Sequence, residues 1–198
     1  MEAKFTEQQS LEVIHEMIEN TKAKFNDNGF FYLLWGWLVL IASLSHFIML
    51  NLGIEPQYAA VPWPVLMIAG GIASGIAGHR LGKKATVKTF FDTSIISLWV
   101  AFTITLFIIL FATGLGRISF SMANVLIIAL YGLGTFISGS MMKFKPLIYG
   151  GIFSWILACV GLFLPDLYSL PLVSASILVA YLIPGYMLKA RAKNNGYV

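Results

Sequence analysis

Six stretches of this chain contain no Asp, Glu, Lys or Arg: residues 28–54, 56–79, 93–116, 118–142, 146–165 and 167–188. The hydrocarbon core of a bilayer is about 30 Å thick and an α-helix rises about 1.5 Å per residue, so roughly 20 apolar residues cross it. All six stretches are long enough. A backbone in hydrocarbon must satisfy its own N–H and C=O groups, which an α-helix does within a single segment. The expected fold is all-α and polytopic, with spans at about 30–52, 63–81, 93–114, 122–142, 147–165 and 168–188. The connections after the first, third and fifth spans are short, so the spans should pair as three antiparallel hairpins. Residues 1–29 form a cytoplasmic helix before this bundle, and residues 189–198 form a cytoplasmic tail.

Orientation follows from Lys and Arg in short connections, which stay on the cytoplasmic side. Twelve of the 13 basic residues fall on one side, from Lys4, Lys22 and Lys24 through Arg80, Lys83, Lys84 and Lys88 to Lys143, Lys145, Lys189, Arg191 and Lys193. Arg117 alone falls on the other. Both termini are therefore expected inside. The basic belt also suits anionic lipid headgroups, so the bilayer is the expected partner and nucleic acid is not. Only 11% of residues are charged, and six spans leave no room for a separate enzymatic domain.

The one substantial segment outside the spans has a helical pattern. Leu11, Ile14, Met17, Ile18, Thr21 and Phe25 share one stripe at 100° per residue, and Glu12, Glu16, Glu19 and Asp27 fall opposite. Residues 1–29 hold six acidic groups against three basic ones, which disfavours adhesion to an anionic leaflet. The stripe, with Leu11, Ile14, Ile18 and Phe25 as its contacts, is better suited to a protein surface: this bundle, a second copy, or a cytoplasmic partner. Gly29 is placed to end the helix.

Small residues point to close helix packing in lipid. The second span reads Gly70-Gly71-Ile-Ala-Ser74-Gly75-Ile-Ala-Gly78, so Gly71, Gly75 and Gly78 are expected to make it the most enclosed helix. Gly150, Ser154 and Ala158 form a shorter row in the fifth span; Gly134 with Ser138 and Thr135 with Gly139 do so in the fourth. Such seams serve the bundle or a homo-oligomer. Pro184 in the last span removes an amide donor and leaves the carbonyl of Ala180 without its usual partner, so a bend is expected there. Trp35, Trp99 and Trp155 each follow a short apolar stretch in the outgoing helix of a hairpin, and the returning helices end alike, which fits three copies of a two-helix unit. Cys159 has no partner cysteine and reads as a small buried packing residue.

Ionisable groups at membrane depth are costly and usually functional. His46 is the only one clearly inside a span. With Asn51, Glu55, Arg117, Asn124 and Asp166 it could line a polar mouth at the outer end, a candidate ligand site. No carboxylate or cysteine stands at metal-ligand spacing from His46, and no motif for phosphate binding or nucleophilic catalysis occurs. Neither metal nor cofactor is expected, and the reading is non-enzymatic.

The stretch from residue 10 to residue 45 has an acidic amphipathic lead, a break containing Asn28 and Gly29, and then Phe30-Phe-Tyr-Leu-Leu-Trp-Gly-Trp37. It resembles a type of small bacterial inner-membrane protein with several spans. The resemblance implies residence in that membrane and carries no activity, cofactor or site residues. Size and span count are also similar to the substrate-binding subunits of vitamin importers, without a shared motif. The expected function is binding or transport of a small, largely apolar molecule; the alternative is a scaffold or regulator that recruits a partner through its N-terminal helix.

Overall fold

The computed structural model describes the backbone of residues 7–84 and 90–194 and the side chains of residues 29–80 and 93–193. Among the described residues it is all-helical, without strands. Five helices are long and apolar enough to cross a membrane, and Lys145–Gly161 is a shorter apolar helix at the lower limit of length. This is the architecture of a multi-pass membrane protein.

Helix α1 runs unbroken from Glu7 to Asn51, followed by the short α2 (Pro56–Ala59) and by α3 (Pro62–Lys84). Gly29 does not end α1. A Cβ at Gly29 would lie 3.3 Å from Leu188 Cβ and 3.4 Å from the carbonyl oxygen of Gly185. The glycine is there for close approach to the last helix, a role that sequence cannot distinguish from a helix stop. Residues 7–28 therefore extend the first span as a single rod by about 33 Å. The side chains of Leu11, Ile14, Ile18 and Phe25 lie outside the described residues.

Helix α4 (Phe90–Gly114) is followed by α5 (Phe120–Met141), whose first turn is capped by Ser119 accepting from the Met122 amide at 3.1 Å. A tight turn leads into α6 (Lys145–Gly161). In that turn Lys143 adopts φ +51°, the left-handed region, while the amide of Phe144 donates to the Gly139 carbonyl at 2.8 Å. The last span begins with a 3₁₀ turn (Asp166–Tyr168), continues as α7 (Ser169–Ile177), widens into a π turn (Leu178–Leu182) and ends as α8 (Ile183–Asn194).

The π turn is the local answer to Pro184. The residue four positions before it, Ala180, cannot receive its usual amide bond, and the backbone re-pairs with wider spacing around the gap. Gly150 of α6 rests against this turn, where an added Cβ would come within 2.8 Å of both Ala180 Cα and the carbonyl oxygen of Val179.

Packing is uneven. The last helix touches α1, α5 and α6, and α5 against α6 is the closest seam. There a Cβ on Gly151 would meet the Gly132 carbonyl at 2.7 Å, and one on Gly139 would meet Leu147 Cβ at 2.7 Å. The rows of small residues in these two helices are thus used inside the chain. By contrast α3 lies mainly against α1 and α4 mainly against α5. In their most apolar stretches only 11% and 6% of residues are buried, against 56% in α5 and in the last helix.

The second span is therefore not the most enclosed one. Among the described residues, added Cβ atoms at Gly71, Gly75 and Gly78 meet nothing within 4 Å, whereas Gly70 is a contact glycine, facing Leu38 and Trp35. Lipid tails are as apolar as leucine, so a smooth helix face need not be covered by protein. Cys159 is likewise exposed on α6 rather than buried.

Candidate functional site

Among the described residues, three of the four buried or part-buried hydrogen bonds that tie side chains of one long helix to those of another end on the last helix. Ser174 shares a 2.7 Å hydrogen bond with Ser43 of α1, Ser176 shares one of 2.8 Å with Ser154 of α6, and Ser169 accepts from Asn124 Nδ2 of α5 at 2.9 Å. All six side chains are buried. One helix is thus pinned to three neighbours by short hydroxyls, whose alternative in hydrocarbon is an unsatisfied polar group.

The fourth bond belongs to His46. Trp63 Nε1, in the first turn of α3, donates to His46 Nδ1 at 3.0 Å, and the imidazole stands edge-on to Phe120 of α5 at 5.2 Å. The six residues expected to line an outer mouth are placed as follows. His46 and Asn124 are buried and face neighbouring helices; Asn51 is exposed and donates to the Phe47 carbonyl of its own helix; Glu55 is exposed and accepts from Gln57; Arg117 and Asp166 are exposed. His46 and Asn124 come together with residues that sequence reading passed over, namely Trp63, Phe120 and Ser169. A Trp in the first turn of α3, directly after the Pro62 start, could have been recognised as a donor for the only deep histidine.

The other concentration of unusual chemistry lies nearer the basic end, the end that carries Arg80, Lys143, Lys145 and Lys189. Five aromatic rings from four helices meet there: Tyr32 of α1, Trp99 and Phe102 of α4, Tyr131 of α5 and Tyr181 in the π turn. Tyr181 is central, with ring centroids 5.4 Å from Tyr131, 5.7 Å from Tyr32 and 6.3 Å from Trp99. Trp99 and Phe102 close the cluster at 5.1 Å from each other, and Phe102 stacks on Tyr131 at 5.9 Å. Edge-to-face contacts of this kind add about 0.5–1.5 kcal/mol per pair beyond area burial.

Tyr181 Oη is buried here without a hydrogen-bond partner, and Ser138 Oγ on α5 is buried beside the Tyr32 hydroxyl. Tyr181 and Ser138 are 3% and 0% exposed. Leaving such a group unpaired costs about 1–3 kcal/mol, so the last helix sustains an expense here that phenylalanine would avoid. The three tyrosines are spread over 150 residues of sequence on helices that are apolar on all sides. Nothing but the rotation of each helix brings them together.

Trp35 packs at Gly70, Trp99 joins the aromatic cluster and Trp155 donates to the Ala129 carbonyl at 3.0 Å, so the three similarly placed tryptophans make unlike contacts. Among the described residues no three of His, Cys, Asp and Glu gather in one place. Comparison with protein-family models, with curated proteins and with solved structures finds no match.

Proposed function

We propose that this chain is a non-enzymatic, multi-pass protein of a bacterial inner membrane, with both termini in the cytoplasm and its spans arranged as three hairpins, and that it binds a small, largely apolar molecule carrying one hydrogen-bonding oxygen. The observation that supports this reading is the unpartnered Tyr181 hydroxyl at a five-ring aromatic cluster, with the Ser138 and Tyr32 hydroxyls in the same region. A phenol and an aliphatic hydroxyl each donate and accept, so they suit a carbonyl or hydroxyl on the ligand. Rings supply the apolar contact area. The basic residues at that end support the orientation.

Entry from the bilayer side fits the packing. Trp99 and Phe102 cover the cluster from α4, the least buried of the long helices. A displacement of α4 exposes the tyrosines without disturbing the serine pairs of the last helix. Such loosely held elements are where opening costs least.

The test is extraction and mass spectrometry of neutral lipophiles that co-purify with the chain in native nanodiscs. A molecule enriched with the wild type and depleted with Tyr181→Phe supports the reading; equal recovery from both refutes it.

A second reading has its own observation: α1 runs as one helix from Glu7 into its span, and the apolar stripe read from the sequence of its N-terminal part would suit a protein partner. Deletion of residues 1–28 should then remove a co-purifying protein and leave lipophile recovery unchanged.

A further inference from the structure

An indole N–H can only donate a hydrogen bond, so the contact of Trp63 Nε1 with His46 Nδ1 at 3.0 Å requires that Nδ1 carry no proton. The imidazole is then neutral and protonated on Nε2. A second proton would go to Nδ1, where it would face the indole proton and turn the bond into a clash of two donors. The contact exists in one charge state only.

What the bond holds is equally specific. Helix α3 lies mainly against α1, and its apolar contact there is the seating of Gly70 against Leu38 and Trp35, about two helical turns from Trp63. Among the described residues, the Trp63–His46 bond is the only side-chain hydrogen bond between α3 and another helix. It fixes the start of α3 at the end of the bundle opposite the lysines.

Among the described residues, no neighbouring charge compensates protonation. The imidazole meets Trp63 from α3 and Phe120 from α5; the nearby polar groups of α5 and α7 are the uncharged Ser121, Asn124, Ser169 and Ser174. The titratable or charged side chains on the connections at that end are Glu55, Tyr58, Arg117, Asp166 and Tyr168. All are exposed, and none pairs with His46.

We infer that the His46–Trp63 pair is a proton-operated latch: with His46 neutral it seats the first turn of α3 on α1, and protonation of His46 releases that turn. The sign follows from the geometry. The contact favours neutral imidazole, so it is complete at higher pH and lost as pH falls through the titration of His46. Histidine is the side chain suited to such a change near physiological pH. The latch is independent of the aromatic cluster, since it joins α1 to α3 at the other end of the molecule.

The test is the indole ¹H–¹⁵N resonance of Trp63, identified through its loss in Trp63→Phe, followed in nanodiscs from about pH 8 to about pH 5, the range over which imidazole changes charge. The expected result is a hydrogen-bonded shift at the upper pH that disappears in a single step on acidification. His46→Gln, which keeps an acceptor that does not titrate, should hold the bonded shift throughout. A resonance that does not respond to pH in the wild type, or that responds identically in His46→Gln, overturns the proposal. Should the Gln variant fail to fold, the ring nitrogens of His46 in the wild type decide: a bare Nδ1 at the upper pH is required, and a protonated one contradicts the latch.

Discussion

The last helix and α3 are both rich in small residues, yet one is the most connected element of the bundle and the other is nearly uncovered. In the last helix Ser169, Ser174 and Ser176 each meet a polar side chain of a different neighbour, and Gly150 of α6 nests against its π turn. In α3 Gly71, Gly75 and Gly78 meet no other helix among the described residues. Small residues permit close approach without causing it. In lipid, where burying an apolar face against protein gains little over leaving it to acyl chains, hydrogen bonds and backbone fit decide which helix lies at the centre.

Paired substitutions break or sharpen this contrast. The largest effect is expected from Gly150→Leu, which drives a branched side chain into the backbone of Val179 and Ala180 and should cost about 3 kcal/mol or more, against no measurable change for Gly75→Leu. Thermal unfolding in one detergent checks both. Equal losses would mean that α3 is packed as tightly as the last helix.

Tyr181→Phe is expected to move the other way. It removes an unpartnered hydroxyl and should stabilise the ligand-free protein by about 1 kcal/mol, the lower part of the range for an unsatisfied buried group. A destabilisation of that size would show that the phenol has a partner of its own. Lys143→Gly should also stabilise, by about 1 kcal/mol, since φ +51° is strained for lysine and free for glycine. Unfolding midpoints in urea measure this, and an unchanged midpoint would count against strain at the turn. The smallest effect belongs to a double-mutant cycle on Ser154 and Ser176 to alanine. Its coupling should be about 0.6 kcal/mol, the average for interhelical hydrogen bonds in membrane proteins, with zero coupling for Ser176 paired with Ser140, which bonds only to the Phe136 carbonyl of its own helix.

Much of this fold was legible because charge cannot be placed in hydrocarbon. The uncharged stretches locate the helices, and Pro184 announces an irregularity in the last one, realised as a π turn. Rotation of the helices about their axes was not legible. A soluble helix reveals its buried face by an apolar stripe, but here lipid-facing and buried positions are both apolar, so periodicity is silent. That is why Gly75, which faces open space, reads like Gly150, which touches backbone. It is also why Tyr32, Tyr131 and Tyr181 gave no sign of meeting. His46 stood out by its cost at depth, whereas its donor Trp63 lies 17 residues on, in the next span, and was not read with it. Gly29 read as a stop because glycine ends helices as readily as it lets them touch.

The central position of the last helix is tested most directly by a disulfide. In a Cys159→Ser background, Ser43→Cys and Ser174→Cys replace two hydroxyls 2.7 Å apart. With a protease site inserted between α3 and α4, oxidation should hold the two fragments together on a denaturing gel after cleavage. Fragments that separate fully after oxidation, or that link only between two chains, would contradict the packing of the last helix against α1.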